Sequence, residues 1–202
     1  MLKLNIGCGR ELKDNGWVNL DTWRKQSTID WYETQRPRYI TEKMSWTDKW
    51  CYENNSVDYI TSEHMLEHIP KELGLYGLKE AFRVLKPNGI LRIIVPSKDF
   101  YESLTDKSHM SNTFVAKYMR EVMRKPVGFY DASFVRERGL TGQGHVWVPD
   151  EKMLTDQIES AGFVDVNVVQ YNTSKHEELN GIDLVDGLRE LESIVCEGRK
   201  VI

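Results

Sequence analysis

The sequence predicts an α/β domain with a mostly parallel sheet, helices on both faces and an antiparallel hairpin at its C-terminal end. Three observations carry this reading. Val57-Asp58-Tyr59-Ile60-Thr61, an apolar stripe of Leu75, Leu78, Phe82 and Leu85, and the run Ile90 to Val95 follow in strand, helix, strand order. That last run is almost continuously apolar, as in strands covered on both faces. Leu2-Lys3-Leu4-Asn5-Ile6 alternates apolar and polar, then runs straight into Gly7-Cys8-Gly9, a strand followed by a tight turn.

The remaining elements follow in order. A second strand is expected at Trp17-Val18-Asn19-Leu20, stopping at Asp21, with too little chain before it for a full crossover helix. Residues 22–56 are polar, tryptophan-rich and weakly periodic, and Asn54-Asn55-Ser56 marks a turn. Met65, Leu66 and Ile69 sit at helical spacing, and Pro70 ends that turn or opens the next helix. Pro87-Asn88-Gly89 stops the Leu75–Leu85 helix. Glu151 to Ala161 reads as a helix closed by Gly162, and 163–169 and 193–196 read as the final strands. Between residues 97 and 147 the pattern loosens while aromatics persist: Phe100, Tyr101, Phe114, Tyr118, Phe129, Tyr130, Phe134 and Trp147. This is either a lid over a ligand edge or an appendage with its own small core.

Size and charge narrow the function. The 202 residues suffice for one domain, and 40% hydrophobic with 29% charged residues is a globular composition. No apolar stretch reaches the roughly 20 residues of a membrane span, and the first residues lack the apolar core of a secretion signal. Three cysteines, widely spaced, argue against a disulfide framework and suit a reducing cytoplasm. The net charge of −4 comes from acids concentrated after residue 148, read here as a solvated face. No basic cluster exists to hold nucleic acid by charge, and the expected partner is a small molecule.

The chemistry starts at Gly7-Cys8-Gly9, where glycines let backbone approach a ligand. Asp21, at the end of the next strand, can accept hydrogen bonds from both hydroxyls of a ribose. Leu4 to Gly9, Gly16 to Asp21, Asn55 to Asp58, Leu66-Glu67-His68-Ile69, Phe82 to Gly89, Ile94-Val95-Pro96 and Ala161-Gly162-Phe163 occur in one order. Together they resemble class I S-adenosylmethionine-dependent methyltransferases, nearest to the compact type 11-like branch. The resemblance spans nearly the whole chain outside 97–144 and implies a Rossmann-like sheet with S-adenosylmethionine as cofactor. It implies that Gly7, Cys8 and Gly9 line the methionine part, with Asn5 where many relatives carry aspartate. It further implies Asp21 on the ribose, Ser45 and Trp46 near the adenine, and Ser62 and Glu63 facing the cofactor.

A sulfonium methyl is electrophilic already, so orientation supplies most of the acceleration. A base is needed when the acceptor is a hydroxyl, and His64 and His145 are the candidates. The expected reaction is O-methylation of a small acceptor; a sugar or sugar conjugate is implied by the resemblance alone. His64-Met65-Leu66-Glu67-His68 also matches H-x-x-E-H, an inverted zinc-protease signature with two imidazoles on one helical face. It resembles too the E-x-x-E-H segment with which some methyltransferases hold a divalent metal. The reading adopted takes His68 as a structural helix residue and assigns no metal. Two alternatives stay open: a zinc hydrolase on that segment, and a non-catalytic cofactor-binding protein.

Overall fold

The computed structural model describes residues 1–22, 26–35, 38–104, 109–124 and 132–201. Phe129 and Tyr130 lie outside the described residues. The strands are β1 (Lys3–Ile6), β2 (Trp17–Asp21), β3 (Ile40–Lys43), β4 (Val57–Glu63), β5 (Leu85–Pro96), β6 (Val164–Val169) and β7 (Ser193–Arg199). They form one sheet in the order β3-β2-β1-β4-β5-β7-β6. β1 to β5 pair in parallel, and β7 runs antiparallel between β5 and β6. The expected antiparallel ending is therefore present. The loop joining β1 to β2 contains no helix, as its length required.

The helices are α1 (Gln26–Gln35), α2 (Lys71–Val84), α3 (Lys98–Ser103), α4 (His109–Glu121), α5 (Ala132–Thr141), α6 (Glu151–Ser160) and the short α7 (Arg189–Glu192). Strand alternation sorts β5 between two faces. Leu91, Ile93 and Val95 enter the main core, where Leu78, Ala81 and Val84 of α2 and Leu154 and Ile158 of α6 meet them. Asp150 caps α6 by accepting from the Met153 amide at 2.8 Å. Ile90, Arg92 and Ile94 face the other side, covered by residues 170–188, where Leu179 packs on Trp17 and Ile90, and Tyr171 on Ile94.

Arg92 interrupts the apolar run because its partners lie on that second face. Its guanidinium is fully buried and meets Asp183 (2.9 Å from Nε) and Glu197 (2.6 Å). Most acids after residue 148 are exposed or partly exposed, as a solvated face requires, but Asp183, Glu192 and Glu197 depart from that reading and are buried. An unpaired charge at any of these sites would cost several kcal/mol, so the pairing is a condition of the fold.

Two local differences have clear causes. The turn after β4 is a single 3-10 turn, Leu66–His68, followed by extended Ile69 (φ −117°, ψ 135°). Pro70 disfavours helical backbone in the residue before it, which stops that turn at His68. Within 22–56, α1 and β3 form without a periodic signal; β3 is an edge strand with only Thr41 buried. Beyond β5, helices α3, α4 and α5 close a small core of their own from Tyr101, Phe114, Val115, Tyr118, Met119 and Val135. No described helix is long and apolar enough to cross a membrane.

The seam between α2 and the loop after β3 depends on Gly77. A Cβ there would stand 1.9 Å from Trp46 Nε1, within an indole that is buried and donates to the Gly74 carbonyl at 3.0 Å. Alanine raises helix propensity by about 1 kcal/mol, but a rigid ring must move to admit it. Gly77→Ala is therefore expected to lose about 1–3 kcal/mol in chemical denaturation. Unchanged stability would contradict this packing.

Candidate active site

The parallel strands end at one edge, and two cavities open there. The first, of about 420 Å³, is lined by Gly7, Asp21, Thr22, Met44 to Thr47, Met65 and the stretch His68 to Pro70. The second, of about 310 Å³, is lined by His64, Glu67, His68, Tyr101, Tyr118, Gln143, His145, Arg189 and Glu192, among others. His68 lines both.

The first cavity is shaped by backbone. Gly7 has φ +69°, and a Cβ on it would lie 2.2 Å from Met65 Cγ, so glycine is needed for both conformation and space. Gly9, at φ +51°, has nothing within 4 Å of its missing Cβ and opens to free space. Asp21 holds this turn: its Oδ2 accepts from the Gly9 amide at 2.7 Å and its Oδ1 from the Thr22 amide at 2.5 Å. Thr22 Oγ1 also donates to Oδ1, at 3.3 Å. A carboxylate has roughly four acceptor positions, so one remains open to a ligand hydroxyl. Met44, Met65, Ile69 and Leu73 supply an apolar wall suited to a flat ring.

The other expected cofactor residues divide by where their side chains go. The Ser45–Thr47 stretch lines the cavity, with Ser45 Oγ 3.0 Å from Thr47 Oγ1, while the Trp46 indole is anchored on α2. Asn5 is buried and spends its amide on the Glu11 carbonyl and Asn19 Oδ1, both at 2.9 Å. It braces the loop after β1 and does not line the cavity. Cys8 turns its thiol to Tyr32, 3.3 Å away, and burial pushes that thiol up to about 12. Ser62 is buried without a side-chain hydrogen bond. Glu63 points to the second face, accepting from the Tyr171 hydroxyl at 2.6 Å, with Arg189 at 3.4 Å.

The second cavity is built on the turn that leaves β4. His64 takes φ +48°, uncommon for a residue with a side chain, and this directs the chain into the 3-10 turn. Its Nε2 lies 2.7 Å from Ser193 Oγ, and its Nδ1 lies 3.7 Å from Glu67 Oε1. His68 Nε2 is also 3.7 Å from Glu67 Oε1. His64 and His68 therefore flank Glu67 without sharing the helical face that the H-x-x-E-H template requires. The chain returns at 145–147, where Val146 donates to the Glu67 carbonyl at 2.9 Å and Trp147 Nε1 to the Ile69 carbonyl at 2.9 Å. This sets the His145 ring edge-on to His68, with centroids 5.0 Å apart.

Burial governs the electrostatics here. Glu67 is 0% exposed with no hydrogen bond to either carboxyl oxygen, and burial pushes it up to about 8. Burial lowers His64 well below the usual imidazole range and lowers His145 as well. His145 Nδ1 lies 2.7 Å from the Gly139 carbonyl. A carbonyl only accepts, so Nδ1 carries the proton and Nε2 of the neutral ring is left with a lone pair. Glu192 is raised by burial and accepts from the Tyr101 hydroxyl. Sequence reasoning missed Tyr101, Arg189 and Glu192 as members of one pocket; the persistent aromatics of 97–147 were its only trace.

A family model for a methyltransferase domain matches residues 4–168. The chain belongs to this methyltransferase family. No curated protein matches it in sequence. Solved structures share the fold of this methyltransferase domain at low identity. A SAM-dependent methyltransferase from Archaeoglobus fulgidus is 14% identical, with TM-score 0.57, 98% of this chain covered and 86% of that one. One from Methanosarcina mazei is 16% identical, with TM-score 0.57, 100% of this chain covered and 92% of that one. The chain spans 49% of the CurJ carbon methyltransferase, at 12% identity, TM-score 0.55 and full coverage of this chain. Membership and fold make S-adenosylmethionine the cofactor, and the first cavity fits it: open glycine backbone, a carboxylate open to a ligand hydroxyl and an apolar wall.

Removing the Asp21 carboxylate deletes the acceptor it offers to the first cavity and also frees the Gly9 amide. Asp21→Ala is expected to weaken S-adenosylhomocysteine binding by about 10- to 100-fold, at about 1.5–3 kcal/mol for bonds to a charged group. Calorimetric titration, with a thermal melt to confirm folding, checks it. Wild-type affinity in a folded variant would remove Asp21 from the cofactor site.

Proposed function

We propose that this methyltransferase transfers a methyl group from S-adenosylmethionine to a hydroxyl of a small, polar acceptor held in the second cavity. The observation that carries this reading is the sharing of His68 between the two cavities, which brings donor and acceptor sites edge to edge. When bound, the cofactor supplies an electrophilic sulfonium methyl. The chain's task is to align an acceptor oxygen with it, and such positioning supplies about 7–11 kcal/mol of barrier lowering when geometry is well set.

In this reading Asp21 holds the ribose, the Gly7–Gly9 turn admits the methionine part, and Met44 to Trp46 wall the adenine. Asn5 acts through the loop it braces, as a positioning residue. Tyr101, Tyr118, Gln143 and Arg189 offer polar and aromatic contacts suited to a hydroxylated ring, including a sugar conjugate. Tyr101, Tyr118, Val122 and Gln143 of the 97–147 insertion line the outer wall of the acceptor site, and its docked end brings His145 inward. His64 and His145 are the two imidazoles proposed to take the acceptor proton; His64 stands where β4 ends, with Ser193 fixing its Nε2 side.

The test is an assay of S-adenosylhomocysteine formation across hydroxyl, amine and thiol acceptors. Hydroxyl acceptors are expected to turn over. His64→Gln is expected to slow kcat by about 10²- to 10⁴-fold, the usual worth of a general base, while cofactor affinity stays unchanged. Turnover confined to amines or thiols would refute O-methylation. Cofactor binding without turnover on any acceptor would favour the non-catalytic alternative.

A further inference from the structure

We propose that Glu67 relays the proton removed from the acceptor, taking it from His64 and passing it to His68, which opens to solvent. This rests on the methyl-transfer reading and supplies the proton exit that reading requires. When a methyl group passes to a hydroxyl, the O–CH3 bond forms as the S–CH3 bond breaks, and that bond's electron pair stays on sulfur. The O–H electron pair stays on oxygen, so one proton per turnover must leave the cavity.

One line of groups leads outward. His64 Nε2 lies 2.7 Å from Ser193 Oγ and its Nδ1 lies 3.7 Å from Glu67 Oε1. The same Glu67 oxygen lies 3.7 Å from His68 Nε2. Side-chain exposure along the line is 12% for His64, 0% for Glu67 and 40% for His68, so it runs from a shielded ring through a dry carboxyl to a wetted ring. Proton-transfer contacts are commonly long before substrate binds and tighten in the loaded complex. Ser193 stands beside Glu192 and opposite Pro96, both of which line the second cavity. It gives its hydroxyl proton to His64 Nε2 as it takes the acceptor's; the Nδ1 proton passes to Glu67, and one from Glu67 to His68 Nε2. Once His68 releases a proton to water, every group holds as many as it began with.

Two observations single out Glu67 and His64 for this role. Both Glu67 carboxyl oxygens are buried without a hydrogen-bond partner, which costs about 1–3 kcal/mol, so packing alone would be better served by an apolar side chain. Burial, with Glu192 of α7 acting in the same sense and Arg189 of that helix opposing it, pushes the carboxyl up to about 8. His145 and Tyr101 complete the titratable groups around it. A carboxyl held near neutrality can both take and give a proton. His145 has no such line behind it, because its Nδ1 is committed to the Gly139 carbonyl, which only accepts. Glu67 touches no acceptor and acts through the two imidazoles, as a positioning residue.

The test compares two acceptors on the full chain: an aliphatic alcohol, and a phenol acidic enough to be ionised at the assay pH, which has no proton to lose. Glu67→Gln keeps the size of the side chain and is expected to slow kcat on the alcohol by about 10²- to 10⁴-fold, with KM unchanged and far less loss on the phenolate. His68→Gln is expected to slow the alcohol by at least about 10-fold and to regain turnover as free imidazole is added. The imidazole rescue reads the relay on the alcohol alone. A thermal melt and a titration with S-adenosylhomocysteine report the fold and the cofactor site of each variant. No loss in a folded Glu67→Gln, equal loss on both acceptors, or a His68→Gln defect that imidazole does not relieve overturns the relay and leaves methyl transfer standing. A wild-type protein that binds S-adenosylhomocysteine but methylates neither acceptor instead refutes the hydroxyl-transfer reading on which the relay rests.

Discussion

The arrangement at the sheet's working edge depends on how the chain leaves β4. His64 enters left-handed backbone, the next three residues close one 3-10 turn, and Pro70 forces Ile69 extended so that α2 can begin. In this short span successive side chains go to different places. Met65 is pressed against Gly7 and walls the first cavity, Leu66 enters the core, Glu67 is driven under the second cavity, and His68 borders both. A regular helix would have put His64 and His68 on one face and separated neither cavity. The strain at His64 costs on the order of 1–3 kcal/mol, and the junction between the two cavities is what it secures.

That turn is held from three sides. Gly7 leaves room for Met65 by having no Cβ; Trp147 donates to the Leu66 and Ile69 carbonyls; and Ser193, at the start of β7, meets His64. The last contact explains why the antiparallel strand matters for chemistry as well as for the sheet. β7 lies beside β5 and starts with Ser193, directly after Glu192 of α7, at the same edge as the end of β4. Beneath it, Arg92 with Asp183 and Glu197 fixes the 170–188 segment onto the second face, and that segment in turn holds Glu63 through Tyr171 and Leu184.

Local pattern revealed the elements whose faces are decided by their own residues. Leu91, Ile93 and Val95 against Ile90, Arg92 and Ile94 show a two-sided strand, and Leu75, Leu78 and Phe82 mark the core-facing side of α2. Gly7 and Asp21 were legible because strand end, glycine turn and carboxylate occur in a short span of chain. Asn5, Cys8, Ser62 and Glu63 were harder. Strand alternation says that neighbours face opposite ways, but not which way leads to the cavity, and the deciding partners Asn19, Tyr32 and Tyr171 are distant in sequence. The meeting of His145 with Glu67 is wholly non-local, set by backbone bonds between two loops. α1 and β3 escaped because one is mostly polar and the other lies at the sheet edge.

The central claim is that donor and acceptor meet where His68 separates the two cavities. A crystal structure with S-adenosylhomocysteine bound tests it most directly. The account predicts the ribose on Asp21, the adenine against Met44 to Trp46, and the sulfur directed past His68 toward His64 and Glu67. A ligand whose sulfur points away from that junction, or that binds elsewhere on the chain, would contradict it.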